Sequence, residues 1–204
     1  MKFSEWEKDI FREASNIAIS HGITSLSQML GEPIEMEVPK VHMIKRIEFL
    51  KLLAENGISQ SFVVMFNITE GLTGLAILQF PKESAILLAA TLMGIDPAQI
   101  DELDEMGKSA IMEIGNILIS VYTDILSILI GESVSLTPPL QASYLYDIEK
   151  ELSSGELREI EDVVMFTNKF KKADGGIESY FYLVPTQDSL RKIITRLEKE
   201  IKEG

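Results

Sequence analysis

Residues 109–132, SAIMEIGNILISVYTDILSILIGE, restate residues 9–32, DIFREASNIAISHGITSLSQMLGE, at an offset of 100 without a gap. Carried on to residues 40 and 140, the comparison gives ten identities in 32 positions. They are Glu13/Glu113, Asn16/Asn116, Ile17/Ile117, Ile19/Ile119, Ser20/Ser120, Leu26/Leu126, Ser27/Ser127, Gly31/Gly131, Glu32/Glu132 and Pro39/Pro139. Average composition would give about two. The chain therefore reads as a duplication, with copies at about 1–95 and 104–204 in one domain of 204 residues.

Working outward from the repeat, each copy opens with a long helical pattern. The first has Ser4 and, three residues on, Glu7, a capping-box signature; Asp104 caps the second. Gly31 and Gly131 close them, because glycine adopts the left-handed conformation that ends a helix without steric cost. Short extended segments follow at Ile34 to Val38 and Val134 to Thr137, each running into proline. The remainder also corresponds. Ser61 to Phe66 with Leu72 to Phe80, and Val163 to Phe170 with Glu178 to Val184, read as two β-hairpins. Beyond Pro81 and Pro185 come helices Lys82 to Met93 and Gln187 to Ile201. A helix-strand-hairpin-helix unit used twice predicts an α+β fold: one antiparallel sheet covered by long helices, with internal pseudo-two-fold symmetry. Ala142 to Leu152, with Tyr144 and Tyr146, reads as a surface helix.

Composition removes several classes of function. Lys and Arg number 19 against 32 Asp and Glu, a formal charge of -13, which argues against a track for nucleic-acid phosphates and against anionic membrane surfaces. Cysteine is absent, so no disulfide framework, thiolate zinc site or cysteine nucleophile is available, and a reducing compartment is permitted. Only His21 and His42 could supply imidazole to a triad or a metal. The first residues, with Lys2, Glu5, Glu7, Lys8 and Asp9, form no apolar signal-peptide region. The greasiest stretch, Ile114 to Ile130, is interrupted by Asn116 and Asp124, as befits a buried core helix rather than a membrane span.

In that stretch Ser109, Glu113, Asn116 and Ser120 fall at steps of four, three and four, which places them on one helical face. Asp9, Glu13, Asn16 and Ser20 repeat the seam in the first copy. A solvated polar face would account for one such seam. A Glu and an Asn kept one turn apart in both copies, while their flanks diverged, point instead to a groove awaiting a partner.

The spacing Asp/Ser, three residues, Glu, two residues, Asn, then 22 residues to Pro resembles the signature of the CheC, CheX and FliY family of chemotaxis phosphatases. Here it stands as Asp9, Glu13, Asn16, Pro39 and again as Ser109, Glu113, Asn116, Pro139. The likeness runs over the whole chain, and two sites without a further domain is the CheC-type arrangement. The first copy departs with Ala14-Ser15 where the family shows Ile-Gly, and with Ser20-His21-Gly22 where it favours small residues. The resemblance implies a hydrolase acting in the cytoplasm on the aspartyl phosphate of the response regulator CheY, with catalytic Asn16 and Asn116 positioning the attacking water. Glu13 and Glu113 would anchor the regulator's lysine, Asp9 and Ser109 would support docking, and Pro39 and Pro139 would be structural. It implies no metal or cofactor of the protein's own, Mg²⁺ being supplied by CheY. Two alternatives stand beside it. One is a non-catalytic adaptor that binds CheY-phosphate or the receptor deamidase CheD; the other is a duplicated domain whose Glu/Asn grooves hold a small polar molecule. A monomer is expected, since a duplicated chain supplies internally the pairing that a single copy obtains by dimerising.

Overall fold

The computed structural model describes residues 6, 9, 12–13, 24–31, 33, 35–36, 40–55, 57–172 and 175–203. Among these the elements run α1 (24–30), β1 (Glu35–Met36), β2 (Lys40–Lys45), α2 (Arg46–Glu55), β3 (Ser61–Glu70), β4 (Gly74–Pro81) and α3 (Lys82–Met93). The second half follows with α4 (Glu105–Ile130), β5 (Ser135–Leu136), β6 (Leu140–Ala142), α5 (Leu145–Leu152), β7 (Asp162–Lys172), β8 (Gly175–Pro185) and α6 (Gln187–Glu203). Trp6, Asp9, Arg12 and Glu13 are also helical.

All eight strands join one sheet and every pairing is antiparallel. The two expected hairpins, β3–β4 and β7–β8, meet at the centre through β4 and β8, with Ala76 opposite Leu183 and Ile77 opposite Tyr182. Each edge is then completed by the other half of the chain: β1 and β2 pair with β7, and β5 and β6 pair with β3. Thr137 carries the β3 ladder onward, its N–H donating to Asn67 O and its Oγ1 accepting from Asn67 N. Pro138 and Pro139 then interrupt it, having no N–H to give, and split this edge into two short strands.

The sequence predicts a sheet covered by long helices. The structure has that layer, but covers the other face as well. On the first face Leu26 and Leu30 of α1, Leu88 of α3, Ile111, Ile114 and Leu118 of α4, and Ile193 of α6 pack with Phe62, Val64 and Phe66 of β3 and with Phe181 of β8. On the opposite face the short helices α2 and α5 bury Phe49, Leu53, Ile148 and Leu152 against Val63, Met65, Ile77 and Tyr182. Tyr182 closes this second core, its ring 4.9 Å from that of Phe49 and its hydroxyl donating to Gln79 Oε1 at 3.1 Å. Two-sided cover explains why Phe62 to Phe66 is an unbroken apolar run instead of an alternating one. The surface helix expected near Ala142 to Leu152 is α5. Asp147 fastens its start by accepting the Ser143 and Tyr144 N–H groups, leaving Tyr144 and Tyr146 exposed above buried Ile148.

Candidate functional site

The second seam lies on α4, whose 26 residues match the length the repeat predicts. Asp104 caps it, its Oδ1 accepting the Gly107 N–H at 2.8 Å. At the other end Gly131, at φ 69°, lets its own N–H and that of Glu132 turn back to the Ser127 carbonyl. Lys192 of α6 reaches across to Glu132 and to the Gly71 carbonyl, a cation beside the helix C-terminus where the macrodipole favours one. By length and composition residues Glu105–Ile128 could cross a bilayer. In the fold they form a core helix instead, with Ile111, Ile114, Leu118, Ile119 and Tyr122 buried on the sheet side.

Gly115 governs how near that helix comes. A Cβ there would stand 3.2 Å from Val64 Cγ2 and 3.4 Å from Val64 Cβ and Cγ1, so the absent side chain lets α4 lie directly on β3. Farther along, the rings of Tyr122 and Phe181 stack at 4.3 Å between centroids and fix the helix over β8. With Gly115 turned inward, Glu113 is exposed and Asn116 half-buried at the rim. The Glu-Ile-Gly-Asn stretch thus joins a packing residue to two outward polar ones, a connection that spacing alone does not reveal.

Hydroxyls along α4 mostly turn back onto their own helix. Ser109 Oγ donates to Glu105 O at 2.8 Å, Thr123 Oγ1 to Ser120 O at 2.9 Å and Ser127 Oγ to Thr123 O at 2.9 Å. Ser109 has therefore committed its proton and can offer a partner only lone pairs. Lys108 is paired with Glu105 at 2.8 Å. The side chains of Glu113 and Asn116, by contrast, make no hydrogen bond or ion pair with the described residues. A carboxylate and a carboxamide so placed, one turn apart, can take a cation and orient a water on a single surface.

Asp9 and Glu13, from the first seam, are both helical and exposed. Asp9 is already engaged, its Oδ1 receiving Arg12 Nη1 at 2.6 Å. The repeat has Met112 at the position of Arg12, so the two seams differ in local charge. Asn16, Pro39 and His21 lie outside the described residues. Pro139 sits half-buried in the β5–β6 connection, and His42 is an exposed residue of β2 facing Met165 in the ladder.

Comparison with known proteins bears on this arrangement. No protein-family model matches the chain. It is 28% identical to the CheY-P phosphatase CheC of Bacillus subtilis over 201 residues, covering 95% of this chain and 94% of that one. It is 30% identical to the CheY-P phosphatase CheX of Thermotoga maritima over 128 residues, covering 63% of this chain and 74% of that one. Among solved structures, FliY of Thermotoga maritima superimposes with a TM-score of 0.72 at 27% identity, over 98% of this chain and 99% of that one.

Proposed function

This chain belongs to the CheC, CheX and FliY family of chemotaxis phosphatases, and on that premise we propose that it hydrolyses the aspartyl phosphate of CheY. The observation that carries the reading is the pair Glu113 and Asn116, without a partner among the described residues, on a helix that Gly115 seats against the sheet.

An acyl phosphate needs little from a second protein. Water attacks phosphorus in line, the P–O bond to the aspartate breaks, the carboxylate leaves with the electron pair, and the water's proton passes to phosphate or solvent. The regulator's own Mg²⁺ and lysine meet the charge on the phosphoryl group. What remains is to hold the water. The Asn116 carboxamide, a donor and an acceptor on one planar group, does this without changing charge. Glu113, one turn earlier, pairs with the regulator's lysine and sets how far the amide enters. Positioning of this kind is worth about 10²- to 10³-fold in rate.

Glu13 and Asn16 repeat these roles on the first helix, with Asp9 and Ser109 at the docking surface and Pro39 and Pro139 shaping the chain after each helix. We further infer that the two halves descend from one unit and are related by a pseudo-two-fold axis, which the exchange of edge strands around β4 and β8 supports. The protein acts in the cytoplasm as a monomer, and CheD is a candidate second partner. Phosphate release from phosphorylated CheY, followed with and without CheD, tests the proposal. A CheY-P lifetime unchanged by stoichiometric protein in both arms would overturn it.

A further inference from the structure

Large apolar side chains left in water are few among the described residues, and two of them stand at equivalent places in the repeat. Trp6 is 40% exposed and Met106 is 68% exposed, and they are separated by the same offset of 100 that relates the two seams. Each precedes its glutamate by seven residues, Trp6 before Glu13 and Met106 before Glu113. Seven residues at 100° apiece fall about 20° short of two full turns, so Met106 lies on the face of Glu113, about 10 Å along α4, and Trp6 and Glu13, both helical, stand at the same sequence spacing. Core packing does not ask for this: the sheet side of α4 is already filled by Ile111, Ile114 and Leu118.

We propose that Trp6 and Met106 are the apolar anchors of two docking surfaces for CheY, the first beside Glu13 and the second continuous with Glu113 and Asn116. The inference rests on the function proposed above and adds the contact that captures the regulator before any chemistry. Three features single out this occupant. Met106 adjoins the residues that must enter the regulator's phosphorylated pocket, and about 10 Å is well inside the radius of roughly 16 Å of a patch of about 800 Å², the share a standard interface takes from each partner. Tryptophan and methionine are both enriched at interfaces, and tryptophan buries a large rigid surface at little ordering cost. An exposed apolar residue recurs seven positions before the seam glutamate in both copies, although of the six residues between them only Lys8/Lys108 is shared. Contacts made equally in the ground and transition states lower KM without changing kcat, which separates an anchor from the water-positioning amide.

The chain contains a single tryptophan, so 5-fluorotryptophan labelling gives one ¹⁹F resonance that reports the first surface alone. Adding unlabelled CheY activated by beryllofluoride and Mg²⁺ is expected to shift or broaden it, and inactive CheY to do so much less. Steady-state kinetics test the second surface in the Asn16→Ala background. There Met106→Ala is expected to raise KM for CheY-P about tenfold with kcat within twofold, and Met106→Leu, equally apolar, to keep the parent KM. An unmoved fluorine signal together with an unchanged KM overturns the anchors while leaving the phosphatase reading intact. Absence of turnover by the wild-type protein overturns that reading instead, and a Trp6 resonance that still responds to activated CheY then upholds the docking surface by itself. A resonance that depends on the protein's own concentration without CheY assigns the face to self-association and refutes the proposal.

Discussion

Placing a methyl group at position 115 tests whether the approach of α4 to the sheet sets the geometry of the site. In Gly115→Ala the new Cβ would stand 3.2 to 3.4 Å from three Val64 atoms, where carbon contacts are comfortable at about 3.5 to 4.0 Å. The helix must lift, or Val64 yield, by roughly 0.3 to 0.6 Å. Overpacking of this size costs about 1 to 3 kcal/mol, and alanine in place of glycine within a helix returns about 1, so a net loss of about 0 to 2 kcal/mol is expected. Val64 is fully buried, and Val64→Ala alone is expected to cost on the order of 2 kcal/mol through the space it leaves. Combined, the added methyl occupies the vacated volume. Urea melts at constant m-value should then give a favourable coupling of about 1 to 2 kcal/mol in the double-mutant cycle. Activity provides a second axis. A displacement of 1 Å at a catalytic group costs about 100-fold, so Gly115→Ala is expected to lower CheY-P turnover about three- to tenfold, and Val64→Ala to restore most of it. Strict additivity, with coupling below about 0.3 kcal/mol, would show that Gly115 does not govern the approach.

Asn16→Ala and Asn116→Ala should each remove part of the phosphatase activity, and the double variant about 10² to 10³ of it, with a circular-dichroism melt unchanged within error because the Asn116 side chain has no partner among the described residues. A double variant that works at the wild-type rate would refute the assigned mechanism. Glu113→Ala is expected to raise KM more than it lowers kcat, measured by phosphate release across a CheY-P series; the reverse split would make Glu113 part of the transition-state machinery. Burial holds the Tyr182 phenol protonated well above the usual tyrosine range. Its folded pKa exceeds its unfolded one, so the stability it contributes is complete below about pH 10 and declines as pH rises above that, which urea melts from pH 8 to 11 would register. Light scattering at micromolar concentration should give a mass near 22.8 kDa, and a value near twice that would overturn the monomer.

Much of what depends on neighbours along the chain was legible in the residues themselves. The Asp104 cap, the Gly131 stop, the 26-residue helix between them, the two hairpins and helix Lys82–Met93 are local patterns of capping, periodicity and turn chemistry. So was the placing of Glu113 and Asn116 on one face, which needs only the helical repeat. The seam's message came from its recurrence at an offset of 100, a property of sequence that a single structure does not display.

Contacts between residues far apart in the chain were settled by tertiary structure alone. Nothing local to Lys40–Lys45 states that it will pair with β7 from the other half, nor that β6 will pair with β3, because edge pairing is decided by which hydrogen-bonding rim the folded sheet leaves open. The apolar residues of α2 are scattered around its circumference instead of forming a stripe, so its sequence does not announce the second covered face, where Phe49 and Leu53 lie against the sheet. The sequence does not tell that Asp9 pairs with Arg12 or that the Ser109 hydroxyl donates to its own helix. Gly115 belongs to both accounts. The sequence marks it as a small residue between two polar ones, and only the proximity of Val64 explains the size: a helix can lie this near a strand only where it has no side chain to hold it away.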